Sequence, residues 1–291
     1  MGYISGKGGA VNGVPEVRVW DMNAESIGGP YASSASAGAV DRIVGSNDWT
    51  GRYGAYGDMP AVLFDDSFAF VGSVDGSVGV YGTAVVTQIR IDIEIPQEPS
   101  QPPTPIAHVV EFKANGVLHK GAAVAADATV PNPPNPKDLN IQYAVPAASP
   151  SWIDLNGSVH RASLILRRPT PVYRRGKGYG FTNRVTGHFD AHLEFGCYVS
   201  AFTSTLEEGE IYGIKLYTSP TRTWLIDWML CEALNEMKTP IEEAGFIEAG
   251  TRALVSMNPR LSLKSVTLID AVATRGSITA PDSSVIWPIT P

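Results

Sequence analysis

The chain has 291 residues, 44% of them apolar and 18% charged, with a net charge of −7; this excludes a disordered chain and leaves room for two ordinary cores. No apolar run is long enough to cross a bilayer as a helix, and no membrane partner is expected. Residues 1–95 hold five Lys/Arg against eleven Asp/Glu, so the first third lacks the basic groove that a grip on nucleic-acid phosphates needs.

In chain order, Val17-Arg18-Val19-Trp20 alternates briefly, and residues 32–40 are rich in Gly, Ser and Ala, as loops are. Phe68-Ala69-Phe70-Val71 and Val78-Gly79-Val80-Tyr81 flank the turn signal Gly72-Ser73-Val74-Asp75-Gly76. The clearest strand runs from Thr83 to Ile95, with Val85, Thr87, Ile89, Ile91, Ile93 and Ile95 on one face and Gln88, Arg90, Asp92 and Glu94 on the other. Pro96 to Pro105 then interrupts any ladder, because proline donates no backbone hydrogen bond. Residues 96–150 therefore read as a Pro-rich linker or arm holding short strands such as His108–Phe112. Beyond it, Ser163–Leu166 and Leu261–Val272 are again β-like. Trp224 to Met237 carries Ile226, Leu230, Ala233, Leu234 and Met237 at helical spacing, which predicts an amphipathic helix near 224–237, stopped by Pro240. The expected fold class is mainly β. It comprises two related β-sandwich or partial-barrel domains, 1–95 and 151–291, the second with that flanking α-helix.

The relation between the domains comes from a shift of 142 positions. Arg42-Ile43-x-Gly45-x-x-Asp48 meets Arg184-Val185-x-Gly187-x-x-Asp190, Tyr53-Gly54 meets Phe195-Gly196, and Asp65-Asp66-Ser67 meets Glu207-Glu208-Gly209. Two copies of one small β unit point to a building block that packs against its own kind.

Chemistry-bearing constellations are few. On a strand, His188, Asp190, His192 and Glu194 share one face, a donor set that zinc accepts. Successive same-face residues lie about 6–7 Å apart, which suits a pair but spreads four too widely, and a half-exposed strand shows the same alternation. Gly72-Ser73-Val74-Asp75-Gly76 is not a nucleophile elbow, since its serine stands one place early. The acidic pairs Asp65-Asp66 and Glu207-Glu208 read as solvated turns. Arg167, Arg168, Arg174, Arg175 and Lys177 form a basic patch near Tyr179 and Phe181. In an acidic protein such a patch better suits docking on the acidic face of a neighbouring subunit than binding nucleic acid. No catalytic residue, metal or cofactor is assigned. Cys197 and Cys231 could pair, but two cysteines make no disulfide framework, and a reducing compartment is expected. Met1 to Gly6 shows no secretory pattern.

Arg42-Ile43-Val44-Gly45-Ser46-Asn47-Asp48-Trp49-Thr50-Gly51, followed by Tyr53, Tyr56-Gly57, Pro60, Phe68-Ala69-Phe70 and Gly72 to Gly76, resembles tailed-bacteriophage virion proteins of the tail-tube type. The resemblance implies a β-sandwich or partial barrel with long loops. It also implies a non-enzymatic chain, built in the host cytoplasm into three- or sixfold rings that stack into the phage tail. The partners implied are the chain itself and other virion proteins, with DNA passing through the tube unbound. A capsid cement, a baseplate protein and a receptor-binding β-module remain the alternatives. Trp20, Trp49, Trp152 and Trp287 are candidate stacking platforms for a glycan-binding version.

Overall fold

The computed structural model describes residues 9–14, 16–32, 40–57, 67–96, 101–121, 124, 135–145, 147, 150–155, 159–173, 182–187, 190–199, 206–219, 222–238, 255–263 and 278–279. The strands of the first third are β1 (Ala10–Val11), β2 (Val17–Tyr31), β3 (Asp41–Tyr56), β4 (Phe68–Ser73) and β5 (Gly79–Glu94). The middle supplies β6 (Ala107–Lys120), β7 (Asn140–Ala144) and β8 (Ile153–Asp154). Then come β9 (Val159–Arg167), β10 (Val172–Tyr173), β11 (Asn183–Arg184), β12 (Asp190–Val199), β13 (Ile211–Ser219), β14 (Arg222–Lys238), β15 (Val255–Leu263) and β16 (Ile278–Thr279). The protein is mainly β, and the one helical element among the described residues is a 3-10 turn at Pro136–Asp138.

All strands but β10 and β11 join one 14-stranded sheet in the order β2-β3-β6-β5-β9-β12-β15-β14-β13-β7-β8. Strand β4 lies beside β5, β1 beside β4, and β16 beside β14. The hinge of this topology is β5. Its first half pairs with β4 (Phe68↔Ala84 to Ser73↔Gly79), and its second half pairs with β9 (Gln88↔Arg167 to Glu94↔Arg161). Both partners take the same edge, because β6 occupies the other from Val80 to Asp92. The sheet therefore passes without a break from residues 1–95 into residues 151–291.

Residues 96–150, read from sequence as an arm, contribute β6 between β3 and β5 and β7 beside β13. The proline run 96–105 ends before Ala107, where period-two alternation begins: His108, Val110, Phe112 and Ala114 are buried, and Val109, Glu111 and Lys113 face the other way.

The helix expected near 224–237 is a correction: this segment is strand β14. Among its described side chains, Trp224, Ile226, Met229 and Cys231 are buried. The gap of three between Ile226 and Met229 comes from a bulge, where β13 advances from Tyr212 to Ile214 while β14 advances from Met229 to Ile226. Further register shifts follow at Cys231/Ala233 and Asn235/Lys238. A bulge inserts one residue and slips the alternation, so a bulged strand imitates helical spacing.

One face of the sheet is dry. Tyr53, Phe112, Ile89, Leu164, Leu193, Leu261, Cys231 and Ile214, taken from successive strands, belong to one continuous apolar cluster. Phe112 is central at the β3–β6 end, with ring centroids 4.6 Å from Phe70, 5.6 Å from Phe68 and 6.1 Å from Trp49. The right-handed twist of strands lets a wide sheet coil and so bury such a face.

Candidate interaction surface

The opposite face is wet, and its side chains stand in lateral rows fixed by strand register. One row reads Asp21, Arg52, Glu111, Gln88, Arg167, Asp190 across β2, β3, β6, β5, β9 and β12. Charges along it alternate in sign around the neutral Gln88, and two neighbouring pairs are bonded. Arg52 Nε meets Asp21 Oδ2 at 2.6 Å, and Arg167 Nε donates to Gln88 Oε1 at 3.1 Å. The Arg52 guanidinium is held above its ordinary pKa, first by the Asp21 hydrogen bond and then by the Asp21 and Glu111 charges. A second row holds Asp92, Ser163, Glu194 and Arg260. There Ser163 Oγ donates to Asp92 Oδ1 at 2.7 Å, Arg90 meets Asp92 at 2.6 Å, and Arg260 meets Glu232 at 3.2 Å.

Between these rows and the chain at Gln101–Pro105 lies an open cleft of about 960 Å³. Arg18, Arg90 and Arg161 line it together with Asp92, Glu94 and Glu194, so its charges balance. Such a lining suits a polar, mixed-charge surface and provides no field for a simple anion or cation.

The structure places Asp190, His192 and Glu194 on this outer face, on β12; His188 lies outside the described residues. Asp190 Oδ1 accepts from the Ala191 N–H and its Oδ2 from His192 Nε2, both at 2.9 Å. Glu194 instead points toward the cleft beside Ser163. Among the described residues no group of three or more His, Cys, Asp or Glu is placed to hold a metal ion.

The basic patch is divided by strand alternation. Arg167 stays in the outer row. Arg168 turns away, with its N–H donating to Thr87 O and its Nε to Gly187 O, both at 2.9 Å. Arg174, Arg175 and Lys177 lie outside the described residues, between β10 and β11. The feet of that hairpin are firmly held. Arg184 donates from Nε to Ala114 O (3.1 Å), from Nη1 to Thr170 O (3.2 Å) and from Nη2 to Asp48 Oδ2 (2.5 Å), while its N–H reaches Asn115 Oδ1 (3.0 Å). The Arg184 side chain is only 7% exposed, and Asp48 is 25% exposed. Thr182 adds two hydrogen bonds to Asn47 O. Residues 168–173 and 182–187 thus form a clasp over β3 and β6. Arg184 and Asp48 entered the sequence reading only as matched positions; a paired Arg and Asp 136 residues apart leaves no local signal.

Glu207 and Glu208 do structural work in the turn before β13. Tyr212 Oη accepts the Glu207 N–H (2.9 Å), and Glu208 Oε1 accepts the Leu234 N–H (3.0 Å) beside the Cys231/Ala233 bulge. Asp65 and Asp66 lie outside the described residues. The Ser73 hydroxyl is consumed by the β4–β5 turn, donating to Val78 O and accepting from the Gly76 N–H, each at 3.0 Å. Asp75, in the same turn, accepts from Val78 and Ser77, which holds its carboxyl below the ordinary value.

Of the candidate stacking tryptophans, Trp49 is buried and donates to Gly116 O, and Trp20 donates to Ser73 O. Trp152 is covered by Lys215, whose Nζ sits 3.9 Å from the ring centroid. Trp287 lies outside the described residues. Cys197 and Cys231 are free and buried, and burial pushes each thiol up to about 11. No family model matches the chain, and no curated protein does.

Proposed function

We propose that this chain is a non-enzymatic structural protein that assembles with copies of itself, as the ring-forming subunit of a phage tail tube. In this reading it works in the virion, after assembly in the host cytoplasm. The observation that carries the reading is the outer face: lateral rows of alternating charge in which Arg52–Asp21, Arg90–Asp92 and Arg260–Glu232 pair within the sheet. A wall of this kind presents little net field and holds no surplus of cations, so a polyanion slides along it without sticking. The acidic balance of residues 1–95 supports the same role. Assembly is with its own kind and with other virion proteins, in rings of three or six, and DNA passes without specific contact.

The balanced cleft of about 960 Å³ favours a second reading, a baseplate or receptor-binding β-module that takes a polar partner there. A capsid cement differs from both in needing a lattice of another protein.

Negative-stain electron microscopy with mass photometry across a concentration series separates the readings. Rings or tubes that grow with concentration are the expected result for the tube subunit. A monomer at every concentration, with binding to a receptor glycan or a capsid lattice, would move the assignment to one of the others.

A further inference from the structure

Strand β6 pairs with β3 only from Thr50 to Tyr56. Beyond that point, Asn23–Tyr31 of β2 and Asp41–Trp49 of β3 continue as a two-stranded ribbon, paired from Asn23↔Thr50 to Tyr31↔Asp41. Nine residues at the rise of a strand span roughly 30 Å. Asn23, Ala24, Glu25, Ser26, Gly28, Gly29 and Pro30 are all exposed, and the far end carries Tyr31 and Val40, 42% and 65% exposed. Among the described residues the clasp meets the ribbon near its base, where Thr182 bonds Asn47 O and Arg184 meets Asp48. Consecutive exposed residues leave both faces of β2 uncovered here by any described residue, and a two-stranded ribbon by itself is marginal in water. A second surface laid on it would bury the exposed strand and stabilise it.

The chain itself carries a matching surface. The strand order ends at β2 on one side and at β8 on the other, so among the described residues both ends are open edges. Beside the β8 edge, Ile153 and Val145 are 43% and 60% exposed. Lys137, exposed in the turn that leads into β7, opposes in sign the exposed Glu25 of the ribbon. An open edge is a template for another strand.

We propose that the β2–β3 ribbon of one copy docks head-to-tail on the β7–β8 edge of the next, with Tyr31 and Val40 against Ile153 and Val145. A heterologous contact of this kind closes into a ring or continues as a filament. The inference rests on the self-assembly reading and adds to it the contact that drives assembly.

Oxidative cross-linking of full-length variants tests it, because the native thiols are buried and the new ones are on exposed positions. Tyr31→Cys chains mixed with Ile153→Cys chains should give a single cross-linked pair. The Tyr31→Cys/Ile153→Cys double variant should give a ladder, and Val40→Cys with Val145→Cys serves as an independent pair. Dimers from Tyr31→Cys alone, with nothing added on mixing, would show a tip-to-tip contact and overturn the head-to-tail form. Rings in the microscope without cross-linking of either pair would overturn the docking and leave self-assembly standing. A chain that stays monomeric and uncross-linked at every concentration would overturn both.

Discussion

Strands β3 and β12 carry the matched residues of the two halves, and they agree locally while differing in surroundings. Asp48 and Asp190 each accept the N–H of the following residue at 2.9 Å. Tyr53 and Phe195 both point into the core, and Gly54 and Gly196 both follow on the other face. The second carboxylate oxygen is where they part. Asp48 meets Arg184 beneath the clasp, with the guanidinium 7% exposed, whereas Asp190 meets His192 at a ring 35% exposed. The same short pattern thus has unequal energetic weight. Weight follows from what covers the outer face: the clasp covers it over β3, and β12 keeps its outer row half-exposed.

The largest expected effect breaks this contrast at its centre. Arg184→Met leaves the Asp48 carboxylate without its cation and strips donors from Ala114 O and Thr170 O. Removing one partner of a buried pair costs about 3–5 kcal/mol, and the partial exposure of Asp48 favours the lower end. His192→Ala, at the matched but exposed pair, should cost less than about 1 kcal/mol. Urea unfolding of the two variants side by side reads the difference. Equal losses would mean that the clasp adds no burial energy to the pair.

The matched glycines sharpen the contrast at a smaller scale. A Cβ built on Gly196 would sit 2.5 Å from His160 Nε2 and 2.9 Å from Arg161 Cγ. On Gly54 the nearest atom is Val19 Cγ1 at 3.3 Å, and Val19 is 53% exposed and free to turn outward. Gly196→Ala should therefore destabilise by about 1–3 kcal/mol, the range for overpacking. Gly54→Ala should stay below about 1 kcal/mol, since only an exposed side chain must give. Here β12 is the more sensitive strand, the reverse of the Asp positions.

Much of the fold was legible where alternation is local. The strand read over Thr83–Ile95 is the second part of β5, and the Phe68–Val71 and Val78–Tyr81 pair is the β4–β5 hairpin with its Gly72–Gly76 turn. Strand β2 was caught only at Val17–Trp20, because Gly28-Gly29-Pro30 reads as a turn. On an edge strand the unpaired side needs no ladder donor, so proline and glycine are tolerated there. In β14, bulges hid the period of two and counterfeited a helix. For the surface, the alternation of Arg90, Asp92 and Glu94 placed one strand's polar face correctly. The rows themselves depend on which strands become neighbours, and the β5–β9 pairing is a long-range fact that no local period encodes.

The smallest effect concerns the one hydroxyl by which the matched aromatics differ. Tyr53 is fully buried, and its Oη has no hydrogen-bond partner among the described residues. A buried hydroxyl without a partner loses its hydration and gains nothing in return. Phe195 shows that the matched place on β12 accepts a plain ring. Tyr53→Phe should thus stabilise the fold by about 1 kcal/mol at neutral pH, read as a rise in the urea midpoint at constant slope. The gain should also depend on pH, with a definite sign. Burial raises the Tyr53 phenol above its ordinary value of 10.0, so the folded state keeps the proton when the unfolded chain releases it. Native stability that rests on the protonated phenol is intact below pH 10 and falls as pH climbs beyond it, by about 1.4 kcal/mol per unit. The phenylalanine variant has no such proton to hold. Its advantage over the parent should therefore widen from pH 9 to pH 11, while the buried thiols, common to both chains, cancel. An advantage that stays flat across that range would mean that Tyr53 reaches solvent or a partner before it ionises.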